Sequence, residues 1–138
     1  AAGLANYEVS NWARPGHESR HNFLYWRQCD YRGFGCAAHS HEAGRRWWNV
    51  RTPDRYIELV ARGRSVEAAD ETLDVDGRRR EGLQLILRTR DGVPADAFDP
   101  DTRDLLGELL VPHPTEPDRL VLTRGGRLLA NEVSMRLA

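Results

Sequence analysis

The sequence predicts an α/β fold class joined to an α-helical part: the closing strands of a partial (β/α) barrel, then a small helical C-terminal domain with a short β element. Two observations predict this. Over residues 1–50, short segments of bulky residues alternate with loops rich in glycine, proline and histidine, as in a sheet built from β/α repeats. From residue 51 onward, capped segments with helical spacing of apolar residues dominate. We therefore predict two domains, 1–50 and 51–138.

The first half is expected to contain two strands separated by loops. Residues 6–13 alternate bulky and polar side chains, which is typical of a short strand. Residues 14–19 contain proline, glycine and histidine and predict a loop that leads into SRHNFLYW, residues 19–26. Residues 30–41 predict a second short strand that runs into a glycine-rich turn. Because SRHNFLYW fits no secondary-structure period, we expect it in a loop at the functional end of the sheet.

The second half is expected to be mainly helical. Its three predicted helices run from a Thr52 cap to Gly63, from Asp74 to Arg88, and from an Asp99 cap onward. Residues 120–122 predict a short strand, and a last helix follows from about Thr123. The acid-rich segment 66–76 is expected to be a solvated connector. The opening residues AAGL are typical of a helix end, which indicates a fragment of a longer chain.

Composition excludes several classes of protein. The chain of 138 residues is 40% hydrophobic and 30% charged, with a formal net charge of -1. This balance argues against disorder and against a polyanion-binding surface, so we expect no nucleic-acid partner. No apolar run reaches the roughly 20 residues of a membrane span, and the pattern of a signal peptide is missing. We expect a cytoplasmic protein without a membrane span, and the sequence does not indicate its oligomeric state.

The cysteines and histidines do not form a recognisable metal motif. Cys29 and Cys36 have a spacing that matches no common zinc or iron-sulfur site, so ordinary thiols are expected. His39 and His41 are two residues apart and would project from one face of a strand. No carboxylate or further cysteine completes a set of ligands. We therefore favour hydrogen-bonding histidines and predict no metal site.

Several separated motifs resemble one known family. They are YEVSNWARPGHESRHNFLYW, YRGFGCAAHSH, RRWWNVRTPDRYI and the ending LTRGGRLLANEV. Together they are similar to the C-terminal part of HemW-type proteins, heme chaperones of the radical S-adenosylmethionine superfamily that were long taken for oxygen-independent coproporphyrinogen III oxidases. The resemblance runs from about residue 5 to residue 137. It implies a heme-handling fragment.

The resemblance assigns a heme-binding role to the family motif HNxxYW. Its residues in this sequence are His21, Asn22, Tyr25 and Trp26. Heme requires an axial donor atom and flat apolar surfaces, so His21 is the candidate ligand, Tyr25 the alternative, and Trp26 could lie against the ring. Residue types alone favour a structural role instead, with the aromatics buried at a sheet edge. In the same way, the tryptophans and arginines of RRWW could hold a tetrapyrrole, although packing is favoured.

The sequence also departs from the family. The resemblance implies a [4Fe-4S] cluster and S-adenosylmethionine in the full-length parent, but the C-x3-C-x2-C motif that holds the cluster is absent from this chain. Ala13 resembles a position that lines the S-adenosylmethionine pocket. We therefore assign no catalytic residue here and expect the chain to be inactive as an enzyme by itself.

Three functions are compatible with the sequence. The first is a fragment of a protein that binds heme and transfers it to an acceptor protein. The second is a fragment of an oxygen-independent coproporphyrinogen III oxidase, which performs a radical oxidative decarboxylation in porphyrin biosynthesis. The third is a winged-helix-like protein-interaction module in the helical half. The intact HNFLYW stretch favours the first.

Overall fold

The computed structural model describes residues 3–137 and has a mixed α/β fold, which confirms that part of the predicted fold class. The strands are β1 (Ala5–Glu8), β2 (Asn11–Ala13), β3 (His39–Glu42), β4 (Arg45–Asn49), β5 (Glu67–Thr72), β6 (Val93–Pro94), β7 (Leu110–Pro112) and β8 (Arg119–Leu122). The helices are α1 (Arg20–Trp26), α2 (Pro53–Ala61), α3 (Val75–Leu87), α4 (Pro100–Leu105), α5 (Arg124–Leu128) and α6 (Ala130–Ser134). The helix end predicted at residues 1–3 lies outside the described residues, except for Gly3.

The chain forms two compact units. The first contains the described parts of residues 1–27 and 79–138, and the second contains residues 28–78. The strands pair antiparallel in three small sheets, with orders β1-β2, β3-β4-β5 and β6-β8-β7. The predicted closing strands of a barrel and the domain boundary between residues 50 and 51 stay predictions.

The core of the first unit is built from apolar side chains of its C-terminal segment. Leu87, Val93, Phe98 and Val133 are each at most 1% exposed. They come from the end of α3, from β6, from the turn before α4 and from α6, so one core joins these elements. Burying each such side chain contributes about 1.5–3 kcal/mol.

The opening strand predicted over residues 6–13 is wrong, because this segment forms a hairpin. β1 and β2 pair with Asn6 opposite Trp12, and the chain turns between Glu8 and Asn11. The Glu8 carboxylate accepts hydrogen bonds from the Ser10 backbone N–H at 2.9 Å and from the Asn11 amide at 2.7 Å. These local bonds favour a turn over a continuous strand.

The predicted loop over SRHNFLYW is also wrong, because residues 20–26 form helix α1. Ser19 is its N-cap, and the Ser19 hydroxyl accepts a hydrogen bond from the Asn22 backbone N–H at 3.3 Å. The rings of Phe23 and Trp26 pack together with their centroids 5.3 Å apart, and both contact the ring of Tyr7. Aromatic packing and a single cap therefore stabilise a helix of seven residues.

The second unit contains a three-stranded sheet. The strand predicted over residues 30–41 is reduced to β3 and an isolated bridge between Tyr31 and His41. The predicted solvated connector at residues 66–76 is wrong in conformation, since it contains strand β5, although every β5 residue is exposed. Ion pairs join β5 to β4, because Arg45 contacts Glu67 and Asp70, and Arg46 contacts Glu71.

The helices of the second half follow their predicted caps closely. Thr52 precedes α2, and Asp99 precedes α4 and accepts a hydrogen bond from the Thr102 backbone N–H at 2.9 Å. The strand predicted at residues 120–122 is β8. The last predicted helix is interrupted at Leu129, where φ is -112° and ψ is 24°, so it forms the two short helices α5 and α6.

Candidate functional site

The exposed face of α1 carries two polar rings side by side. His21 and Tyr25 are one helical turn apart, so their side chains meet on the same face. The His21 Nε2 atom lies 2.8 Å from the Tyr25 hydroxyl oxygen, and the two rings are perpendicular with centroids 5.0 Å apart. His21 is exposed, and Tyr25 is 38% exposed. A ring nitrogen and a phenol oxygen therefore lie together at the protein surface.

The other aromatic residues of α1 hold the helix in place. Trp26 is half-buried, and its ring centroid lies 5.9 Å from that of Tyr7 in an edge-to-face arrangement. The Tyr7 ring is 4% exposed, and its hydroxyl accepts a hydrogen bond from the Ser19 backbone N–H at 3.3 Å. The structure thus brings His21 and Tyr25 together and places Trp26 in the packing beneath the helix. Sequence reasoning missed Tyr7 and Ser19 as supports; a serine immediately before a possible first turn was the available signal.

Asn22 and Ala13 occupy supporting positions. Asn22 is half-buried in the first turn of α1, where its backbone N–H makes the capping hydrogen bond. Ala13 ends β2, pairs with Ala5 and is half-buried. The heme role of Asn22 and the S-adenosylmethionine role of Ala13 stay predictions.

Charged groups anchor both ends of α1 within the first unit. Before the helix, Glu18 pairs with Arg90 at 2.9 Å. The pKa of Glu18 lies below its usual value, because its own backbone N–H hydrogen bond and the charge of Arg90 outweigh the opposing effect of burial. After the helix, Arg27 pairs with Asp91 at 2.6 Å and lies 4.6 Å from the centroid of the Phe23 ring. The helix is thus tied to the segment that follows α3.

The histidines of the second unit make hydrogen bonds and ring contacts. The His41 Nδ1 atom lies 3.1 Å from the Cys29 carbonyl oxygen, and the His41 ring stacks on Tyr31 with centroids 6.1 Å apart. His39 contacts the ring of Trp48 at 5.7 Å. Within residues 3–137, no three His, Cys, Asp or Glu side chains are arranged to hold a metal ion, and neither cysteine forms a disulfide.

The RRWW stretch packs within the second unit. Trp47 is 7% exposed, and the guanidinium groups of Arg32 and Arg45 lie 5.0 and 4.9 Å from its ring centroid. Arg45 also pairs with Asp70 at 3.0 Å. Through these contacts Trp47 and Arg45 stabilise the sheet.

No described helix has both the length and the apolar character needed to cross a membrane.

Comparison with known proteins identifies the relatives of the chain. No family model matches it. The heme chaperone HemW of Mycobacterium tuberculosis is 42% identical over 137 residues, which covers 96% of this chain and 35% of the relative. The heme chaperone HemW of Bacillus subtilis is 33% identical over 144 residues, which covers 96% of this chain and 38% of the relative. The chain resembles HemW over nearly its whole length. The resemblance to HemW-type proteins inferred from the motifs is thereby confirmed.

Further HemW-type and structural relatives agree with this result. The heme chaperone HemW of Escherichia coli is 40% identical over 148 residues, again with 96% of this chain and 38% of the relative covered. The solved structure of the Escherichia coli coproporphyrinogen III oxidase HemN, a radical SAM enzyme, matches with a TM-score of 0.68 and 17% identity over 96% of this chain and 36% of that one. At this identity the match shows the fold alone. The chain spans little more than a third of the length of these HemW relatives.

Proposed function

We propose that this chain is part of a protein that binds heme and transfers it to an acceptor protein, and that α1 contacts the heme. The observation that carries the proposal is the surface pair of His21 and Tyr25, with Nε2 and the hydroxyl oxygen 2.8 Å apart. The HemW relatives support it, because they are named as heme chaperones. The closing strands of a barrel and a cytoplasmic location belong to the same proposal.

The pair suits an iron ligand that is exchanged. Neutral imidazole offers one nitrogen lone pair, and His21 coordinates iron after the hydrogen bond between Nε2 and Tyr25 is broken or through Nδ1. Tyr25 is the alternative ligand; its phenol proton would then pass to His21 across the existing hydrogen bond. Because both groups lie at the surface, binding does not require the core to open. We propose Asn22 and Trp26 as further heme contacts or as supports of the ligand.

The cluster and S-adenosylmethionine of the parent do not fit this chain alone. Radical chemistry needs three thiolates, and the sequence has only Cys29 and Cys36. Ala13 is the one position that we propose to lie near S-adenosylmethionine. We therefore assign no catalytic step to these residues.

Heme titration tests the ligand. Ferric heme added to the chain should give a shifted Soret band, and His21→Ala should weaken binding about tenfold or more, since an axial ligand is lost. His17→Ala is the matched control, because His17 is also exposed and lies four residues before His21. Equal affinity of the two variants would exclude His21 as the ligand.

Tyr25→Phe tests the second candidate ligand, the Tyr25 phenolate. This change keeps the ring and removes the hydroxyl that bonds to His21. If His21 is the ligand, the Soret position should be retained with a modest change in affinity. If the phenolate is the ligand, the Soret spectrum should be lost in Tyr25→Phe and largely kept in His21→Ala.

Transfer requires a separate measurement. Heme-loaded chain mixed with excess heme-free myoglobin should lose its own Soret band as the globin spectrum appears. Heme that stays on the chain over hours would contradict a transfer role while leaving heme binding intact.

An enzyme is the second candidate, because the fold matches that of HemN. We propose this activity only for the full-length parent. Anaerobic conversion of coproporphyrinogen III by that reconstituted protein would support it, and no conversion with an intact cluster would exclude it. A winged-helix-like interaction module in residues 51–138 stays a prediction.

A further inference from the structure

A small cavity lies within the first unit, among residues that the heme proposal does not use. It has a volume of about 240 Å³ and is lined by the side chains of Arg88, Arg90, His113, Val121, Leu122 and Arg127, among others. None of the described residues that line it is acidic. The cavity therefore combines apolar walls with several hydrogen-bond donors and positive charges.

Two of its three arginines already have partners. Arg88 pairs with Glu8 at 3.0 Å, and Arg90 pairs with Glu18 at 2.9 Å. Both carboxylates lie outside the lining of the cavity. The charges of Arg88 and Arg90 are thus largely neutralised before any ligand binds.

Arg127 is the exception. It follows Gly126 in α5 and is half-buried, and among residues 3–137 no side chain forms an ion pair or hydrogen bond with its guanidinium group. Arg127 and Arg88 also line an adjoining cavity of about 410 Å³, where the one acidic lining residue, Glu132, lies 3.9 Å from Arg136. The N–H groups of a guanidinium without a carboxylate partner are available to an anion, which they can bind by charge-assisted hydrogen bonds.

His113 contributes a hydrogen-bond donor to the lining of the cavity. Its Nδ1 atom accepts hydrogen bonds from the backbone N–H groups of Thr115 at 3.3 Å and Glu116 at 3.1 Å. Because Nδ1 is an acceptor, the ring hydrogen is on Nε2 in the neutral side chain. His113 therefore offers one N–H group, and Arg127 offers a planar fork of N–H groups suited to a carboxylate.

We propose that this cavity binds the carboxylate of a propionate-type group, with Arg127 pairing with the carboxylate and Val121 and Leu122 contacting the methylene carbons. One uncompensated positive charge matches a monoanion. A drug-sized ligand fills about 300–1,000 Å³, so a cavity of about 240 Å³ suits a short acid or one arm of a larger molecule. The source is either a free short-chain acid or a propionate side chain of a tetrapyrrole. The inference does not depend on heme coordination by His21 or Tyr25.

Titration with sodium propionate tests the site, followed through the NMR amide resonances of His113 and Val121. Both resonances should shift with propionate at millimolar concentration and not with propionamide, which has the same shape without the charge. Arg127→Gln should weaken propionate binding at least about tenfold. Arg124→Gln is the matched control, because Arg124 lies on the same helix, is exposed and lines neither cavity. The affinity of this variant for propionate should equal that of the native sequence.

Several results would overturn the proposal. These are no shift with propionate, equal loss in the two arginine variants, or tighter binding of inorganic phosphate than of propionate. Arg127→Gln is expected to fold normally, since its guanidinium has no described partner, and a circular dichroism melt checks this. Arg127→Lys keeps the charge without the fork and should lose less affinity than Arg127→Gln, which keeps the test valid if the glutamine variant is unstable.

A competition experiment distinguishes the two sources. Metal-free deuteroporphyrin, which carries two propionates, is compared with its dimethyl ester as a competitor of propionate. Displacement by the free acid and not by the ester supports the site and assigns it to a tetrapyrrole propionate. No displacement by either, with propionate still bound, supports the site and assigns it to a free acid. Displacement by the ester would overturn the carboxylate assignment.

Discussion

The carboxylate of Glu8 and the guanidinium of Arg88 form an ion pair across 80 residues of sequence, with one carboxylate oxygen 3.0 Å from both Nε and a terminal nitrogen of Arg88. Glu8 is 2% exposed. The backbone supports the same contact, because the Val9 N–H donates to the Arg88 carbonyl at 2.9 Å. This relationship fixes the β1-β2 hairpin to the end of α3 within the first unit.

Neutralising Glu8 should destabilise the protein. Glu8→Gln keeps the shape of the side chain but removes the charge that compensates Arg88, and at least one hydrogen bond is lost. We expect the free energy of unfolding in urea to fall by about 1–3 kcal/mol. Glu132→Gln, at an exposed pair with Arg136, should change it by less than about 0.5 kcal/mol. Equal effects of the two changes would contradict a structural role of the Glu8 pair.

The same carboxylate should make stability depend on acid pH. Burial raises the pKa of Glu8, but hydrogen bonds from Asn11 and Ser10 and the charge of Arg88 outweigh it, so the pKa is below its usual value of 4.5. Its contribution is therefore complete above pH 4.5 and is lost as the pH falls through the lowered folded-state pKa. Urea unfolding measured at several pH values should show a steeper decline below pH 4.5 in the native sequence than in Glu8→Gln. Parallel curves would argue against this assignment.

The cap of α1 offers a local test. Ser19→Ala removes the hydroxyl that accepts the Asn22 N–H and should cost about 0.5–2 kcal/mol, seen as faster amide exchange at Phe23, whose N–H donates to the Ser19 carbonyl at 3.3 Å. Ser19→Asp keeps an acceptor and adds a favourable charge at the helix start, so its exchange should stay near that of the native sequence. Similar exchange in both variants would mean that aromatic packing alone holds the helix.

Two neighbouring glycines of α5 should respond oppositely to alanine. A Cβ atom at Gly126 would lie 2.1 Å from the Leu109 carbonyl oxygen, whereas at Gly125 the nearest atoms are 3.7 and 3.8 Å away. Gly126→Ala forces the backbone at Gly126 away from that at Leu109, and it should lower the free energy of unfolding by about 1–3 kcal/mol or more. Gly125→Ala should be neutral or stabilise by up to about 1 kcal/mol, because alanine favours the helix. Thermal melts of the two variants compare these effects directly, and a stable Gly126→Ala protein would disprove the close contact.

Signals within a few residues of one another predicted the main helices of the second half. Thr52 and Asp99, each at an N-cap position and followed by proline, located α2 and α4, although only the Asp99 side chain accepts a capping hydrogen bond. The resemblance of HNxxYW to the family motif made His21 and Tyr25 candidates for the site, and their heme role stays a prediction; the hydrogen bond between them was not predicted. That contact depends on α1, which has a single cap and lacks an extended apolar stripe.

Elements stabilised by distant partners were not predictable in the same way. β5 carries no apolar core face; its acidic side chains meet Arg45 and Arg46 on β4, so its conformation depends on residues more than 20 positions earlier. The turn after Glu8 is held by the ion pair between Glu8 and Arg88, and the cavity around Arg127 is lined by residues from five separate stretches of the sequence. Neither can be read from local periodicity.

The division of the first unit into two sequence segments has a consequence for synthesis on the ribosome. Residues 3–27 are synthesised before residues 79–137, yet Tyr7 and Glu8 lie buried in a unit that contains both segments and is completed only after residues 28–78 have been made. Until then Glu8 lacks its ion-pair partner Arg88, and the β1-β2 hairpin and α1 lack the later segment of the unit against which they pack. If the second unit folds meanwhile, it shortens the effective loop between the two segments and lowers the entropy cost of bringing them together. Prompt folding of the middle would thus speed assembly of the ends.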